Sequence, residues 1–198
     1  MPDDQGGKDQ VELLVTLSDL GKGKRFRAGS GGRPLDIALF QDRNVGDLKI
    51  DYPSGLQVSR EEESPEQGFV SFILSDKEDP DSRMEFGISE FPEDFLATVP
   101  EEELLGELAA MADQMRNDYA ALPGVTVLEQ SEIQWSPSTS RPEAYAFAKV
   151  EENQKEFYLV FSALVVGHYS ISSVSRSANP SKLEVFSNIL ENSAITRK

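Results

Sequence analysis

The sequence predicts an α+β fold: a central antiparallel β-sheet, run largely as a meander and flanked by α-helices, behind a flexible N-terminal arm. Three observations carry this expectation. Leu48, Ile50 and Tyr52 alternate with polar residues, and so do Met84, Phe86 and Ile88, the two-residue period of a half-buried strand. Leu104, Leu108, Met111, Met115, Tyr119 and Leu122 recur at steps of three and four, the stripe of an amphipathic helix. Short turn sequences separate the apolar runs, and connections that short join antiparallel strands.

Residues 1–45 read as a Gly-rich, basic arm in which Val11 to Leu17 suits one short strand. The stretch from Gly21 to Arg33 has many glycines, so its backbone is free to move, and Phe26 is its one large apolar anchor. Residues 46–198 read as the folded domain. A strand ends at the turn Pro53-Ser54-Gly55, and Leu56 and Val58 restart the alternation. Phe69 to Leu74 is a near-continuous apolar strand, joined through the acidic turn Asp76 to Ser82 to the strand of Met84, Phe86 and Ile88.

The longer helix is expected from about Pro100 to Leu122. Thr98 and Glu101 have capping-box spacing, Pro100 suits a first turn, and Glu101 to Glu103 suit the positive end of the helix dipole. Pro123-Gly124 ends it. Four strands follow, at Val125–Leu128, Arg141–Val150, Phe157–Val165 and Tyr169–Val174. Asn179-Pro180 opens a closing helix that buries Leu183, Phe186, Ile189 and Leu190.

Charge narrows the partners. The net charge is −16, with 35 acids against 19 bases in 198 residues. Residues 1–49 hold eight of each, so the whole excess falls on the folded part. Such a surface repels phosphate backbones and anionic membranes, which excludes nucleic acid as a partner. No apolar run approaches the length of about 20 residues that spans a bilayer. The absence of Cys excludes thiolate metal sites and cysteine nucleophiles, and suits an exported or a cytoplasmic protein alike. If Met1 is not the natural start, the expectation is an extracytoplasmic protein, with a possible membrane tether upstream of the arm; if Met1 is natural, a cytoplasmic one.

No catalytic, cofactor-binding or metal-binding residue is assigned. His168, the one histidine, follows Gly167 in a turn and has no nucleophile-elbow sequence to serve. Lys22, Lys24, Arg25, Arg27 and Arg33 lack the spacing of a phosphate-cradling loop and read as a charged tether. Asp76, Glu78, Asp79, Asp81 and Glu85 are dense enough for a hard cation but lack EF-hand spacing, and read as a solvated hairpin tip. Glu61 to Glu66 reads as a loop. Trp135, before the polar stretch Ser136 to Ser140, is a candidate binding residue. Tyr145, Phe147, Phe157, Tyr158, Phe161 and Tyr169 read mostly as core.

The order of elements resembles PsbP-like domains. Leu48-Lys-Ile-Asp-Tyr-Pro-Ser-Gly55 resembles their opening strand, which runs into Tyr-Pro or Phe-Pro and a turn. The long helix closing at Pro123-Gly124 before Val125-Thr-Val-Leu-Glu, Arg141-Pro-Glu-Ala-Tyr145 entering a strand pair, and the last helix through Val185 to Ser193 are similar to that family too. Leu56 stands where the family often has Trp. The family includes the photosystem II PsbP subunit, a Ran-release factor, DcrB-like and LpqN-like envelope proteins, and Eag chaperones of secreted effectors. The resemblance implies a non-enzymatic accessory protein without cofactors that binds a protein partner, as an extracytoplasmic (lipo)protein or else as a cytoplasmic chaperone or adaptor.

Overall fold

A computed structural model describes residues 10–16, 24–28, 34–37, 47–53, 55–64, 69–90, 99–136, 141–167, 169–191 and 194–196. The strands before the first helix are β1 Gln10–Thr16, β2 Lys24–Ala28, β3 Pro34–Ile37, β4 Asp47–Pro53, β5 Leu56–Ser64, β6 Phe69–Asp76 and β7 Arg83–Glu90. Helix α1 spans Glu101–Ala120. It is followed by β8 Val125–Gln130, β9 Gln134–Ser136, β10 Glu143–Glu152, β11 Lys155–Val166 and β12 Tyr169–Ser177, then α2 Pro180–Glu191 and β13 Ala194–Thr196.

The strands form two antiparallel sheets. An eight-stranded sheet runs β5-β6-β7-β12-β11-β10-β8, with β9 also on β10, and a five-stranded sheet runs β13-β4-β1-β2-β3. The expected meander is present as β10-β11-β12, and the β6–β7 hairpin joins it because β12 pairs with β7 from Tyr169↔Glu90 to Arg176↔Arg83. Within the segment read as an arm, β1 matches the short strand expected there, and the backbones of β2 and β3 pair as well. β1 pairs with β4 from Gln10↔Pro53 to Thr16↔Asp47, across the boundary at residue 46. Lys22, Arg33 and the rest of that segment lie outside the described residues.

The core is divided by β11, a strand buried on both faces. Phe157, Leu159, Phe161, Ala163 and Val165 point to α1, and Val160, Leu164 and Val166 to α2. On the first face Leu104 and Leu108 of α1 meet Ala144, Ala163 and Val165, while Met115 and Tyr119 pack on Phe157 and Phe161. Small residues at Ala144, Ala146 and Ala148 of β10 leave room for the helix to approach. On the second face Leu183, Phe186, Ile189 and Leu190 of α2 pack with Phe72, Phe86, Ile171 and Tyr52. Each such burial contributes about 1.5–3 kcal/mol.

Turn chemistry fixes the register. Asn153 and Gln154, at φ of 53° and 65°, form the two-residue loop of the β10–β11 hairpin, the conformation whose twist matches right-handed strands. Gly124, at φ of 83°, sits just past the end of α1. The carboxylate of Asp76 accepts from the backbone N–H of Glu78 at 2.8 Å and of Asp79 at 3.0 Å, and pairs with Lys182 in the first turn of α2. Burial opposes its ionisation, but Lys182 and the two N–H groups outweigh that and hold the carboxyl below its ordinary value. The acidic turn thereby fastens the β6–β7 hairpin to α2.

One local expectation is corrected, and two short strands are new. The expected start of α1 near Pro100 is met, with Pro100 as the N-cap and no side-chain hydrogen bond there; Thr98 lies outside the described residues. Glu61 to Glu63, read as loop, belong to β5, which pairs with β6 as far as Ser64↔Phe69. An edge strand has one paired side and tolerates charge that a central strand would not. β9 and β13, at three residues each, are too short to show a period in sequence.

Candidate functional site

Successive side chains of β10 face opposite sides of the sheet. Ala144, Ala146, Ala148 and Val150 are buried on the α1 side. Phe147 and Lys149 lie on the other side, directly across from Val160 and Tyr158 of β11. On that side α2 packs over β12, β11 and β4, and Phe147 keeps 43% of its surface exposed.

The result is a groove of about 790 Å³ beside α2. Phe147, Tyr158 and Val160 form its floor together with Leu183. Glu184, Ser187, Asn188 and Glu191, spaced by three and four on one face of α2, form one wall, and Glu129, Gln130 and Ser131 form the other. The volume is within the range of about 300–1,000 Å³ common to binding clefts.

The strand-side wall is held in place from below. The Ser131 N–H donates to the Phe147 carbonyl at 2.9 Å, and the Phe147 N–H donates to Ser131 Oγ at 2.9 Å. Arg116, reaching from α1, donates to the Ser131 carbonyl at 2.5 Å and pairs with Asp113. The Tyr145 ring stands edge-on to Phe147 with centroids 5.6 Å apart. Lys149 is bonded to Glu156 at 2.7 Å and lies 5.7 Å from the Tyr158 ring centre.

At one end, Arg141 donates to the carbonyls of Leu190 (3.0 Å) and Glu191, the orphan acceptors at the C-terminus of α2. Two residues along, burial pushes the Glu143 carboxyl above its ordinary value; nearby Glu191 acts in the same direction, and Ser162 and Arg141 oppose it. A raised folded-state value means that the native protein binds this proton more tightly than the unfolded chain. The associated stability is present below the unfolded value and is lost as pH rises through the folded one. Glu143→Gln, neutral at every pH and able to keep the Ser162 contact, is therefore expected to raise Tm at pH 7 and leave it nearly unchanged below about pH 4. Paired thermal melts at the two pH values check this.

Among the residues singled out in the sequence, Phe157, Phe161 and Tyr169 are core, whereas Phe147 is an exposed groove residue. Trp135 is 50% exposed on β9, paired with Ala144 and so directed to the α1 side, away from the groove. The acids of the β6–β7 turn bind within the fold: Asp79 accepts from Ser82 at 2.6 Å, and Asp81 pairs with Lys155 at 2.7 Å. Among the described residues no group of three or more acids or histidines is placed to hold a metal ion. His168 lies outside the described residues, as do the side chains of Lys24, Arg25 and Arg27. No described helix is long and apolar enough to cross a membrane.

These features define an α+β protein: a large antiparallel sheet with a helix on each face and an open groove beside the second helix. Solved structures with a similar arrangement include the solution structure of cyanobacterial PsbP from Synechocystis sp. PCC 6803, at 13% identity and a TM-score of 0.48, over 85% of this chain and 98% of that one. The crystal structure of PA94 from Pseudomonas aeruginosa, a protein of unknown function, is similar at 11% identity and a TM-score of 0.36, over 81% and 96% of the two chains. No family model matches the chain, and no curated protein sequence does.

Proposed function

We propose that this chain is a non-enzymatic, PsbP-like accessory protein that binds another protein through the groove beside α2, and that it works outside the cytoplasm as an envelope or lumenal (lipo)protein. The observation that carries the reading is Phe147: a large aromatic, 43% exposed, at the floor of an apolar trough whose walls are pinned by hydrogen bonds. Exposed aromatics in preformed concavities are where protein partners anchor. The order of elements, from the strand ending at Tyr52-Pro53 to the closing helix α2, is the one on which the PsbP-like resemblance rests. Cross-linked capture from envelope and cytosolic fractions of the source cell tests it. A protein held by the native chain and lost with Phe147→Asp is the expected result, and equal capture by both proteins overturns the reading.

A second reading, a cytoplasmic chaperone or adaptor for a secreted or membrane-inserting client, draws on the same open groove, since such a protein needs an uncovered apolar surface. The compartment separates the two. Capture confined to the envelope fraction favours the first, and capture of a nascent or pre-export client from the cytosol favours the second.

A further inference from the structure

We infer that the occupant of the groove is a basic amphipathic α-helix, supplied by a partner, lying beside α2 on the sheet. This rests on the protein-binding reading and goes beyond it by giving the partner's chemistry. Width is the first argument. Among the described residues α2 packs over β12, β11 and β4, so on its β10 side it leaves the lane of β10 and β8. Neighbouring strands lie about 4.8 Å apart, so two make a lane of about 10 Å. Packed helices lie about 8–10 Å axis to axis. The lane is one helix wide, and Glu129 and Gln130 of β8, with Ser131 just beyond it, line its outer margin.

Charge is the second argument. The floor is apolar, with Phe147, Tyr158, Val160 and Leu183. The rim is acidic on both walls, with Glu129 on one and Glu184 and Glu191 on the other. Lys149, the base among the lining residues, is already bonded to Glu156 at 2.7 Å. An apolar stripe flanked by lysine or arginine matches this surface, and a helix with acidic flanks is repelled by it. An extended strand added at β8 fits less well. β8 places Leu128 as an extra residue against β10, since the register passes from Lys149↔Glu129 to Val150↔Val127, and a bulge of that kind discourages edge pairing.

The test uses the full chain and three synthetic peptides of about 18 residues, a helix of roughly 27 Å. One has Leu and Lys at helical spacing, one has Glu in place of Lys, and one alternates Leu and Lys as a strand. Titration calorimetry gives affinity, and amide chemical shifts locate the site. The Leu/Lys helix is expected to bind one to one and to shift the amides of Ser131, Phe147 and Asn188. At least tenfold in affinity should be lost with Phe147→Asp, and a similar factor with Glu184→Lys/Glu191→Lys, whose positions are exposed and leave the fold intact. Equal binding of the acidic helix or of the alternating peptide overturns the inference, and so do shifts confined to another face or undiminished binding by both variants. If the Leu/Lys helix does not bind but cellular capture is still lost with Phe147→Asp, the helix inference falls and the protein-binding function stands. If both fail, both fall.

Discussion

Phe86→Ala is expected to destabilise the domain by about 4 kcal/mol, a large share of the stability of an ordinary domain. Phe86 is 1% exposed and directly opposite Phe72 in the β6–β7 pair, with the two rings stacked at 5.4 Å. The pair forms the sheet side of the cluster that receives Phe186, Ile189 and Leu190 of α2. Truncation removes the transfer energy of the ring, the contact with Phe72 and the support under α2. Rigid strands on both sides keep the cavity from collapsing. For a chain of this size the loss corresponds to a fall in Tm of about 10 °C. Urea unfolding followed by circular dichroism checks it, and a loss below about 1 kcal/mol would mean that α2 is not seated on this cluster.

Glu152→Ala is expected to cost about 3 kcal/mol although Glu152 is itself partly exposed, because of what it leaves behind. The Arg176 guanidinium is buried, stacked 3.8 Å from the centre of the Phe157 ring, and bonded to Glu152 at 3.0 Å. Among the described residues its Nε–H has no hydrogen-bond partner. Tyr119 of α1 also donates to Glu152, at 3.3 Å. Removing the carboxylate strands a cation in the interior and releases the tyrosine. The double variant Glu152→Ala/Arg176→Met replaces that cation with a thioether able to lie on Phe157, and should recover most of the loss. If the double variant is no more stable than Glu152→Ala alone, the stranded charge is not the cause.

Much of the fold was legible because burial imposes a period on sequence. Leu183, Phe186, Ile189 and Leu190 were all readable as the inner face of α2, since one helix on one sheet face leaves a clean stripe. β11 was readable as a buried strand from its long apolar run, interrupted by Ser162 alone, since both of its faces are covered. What escaped depended on long-range placement. Phe147 alternates like a core residue, and nothing in its neighbourhood says that α2 stops one strand short of it. The groove joins β8, β10, β11 and α2, segments more than 50 residues apart at the extremes, so no local pattern announces it. Glu61 to Glu63 misled in the opposite direction, because polarity suggests a loop until the partner strand Val70 to Phe72 is seen beside them.

The doubly covered strand at the centre of the sheet has a cost before folding is complete. Phe157 to Val166 is an unbroken stretch with no charge and no proline, the composition that pairs between chains when it is exposed. Lys155 and Glu156 stand guard at its entrance, and the −16 net charge keeps unfolded molecules apart at low salt. Heated in concentrated salt, where that repulsion is screened, the protein should precipitate rather than refold, and its apparent melting point should then depend on the rate of heating.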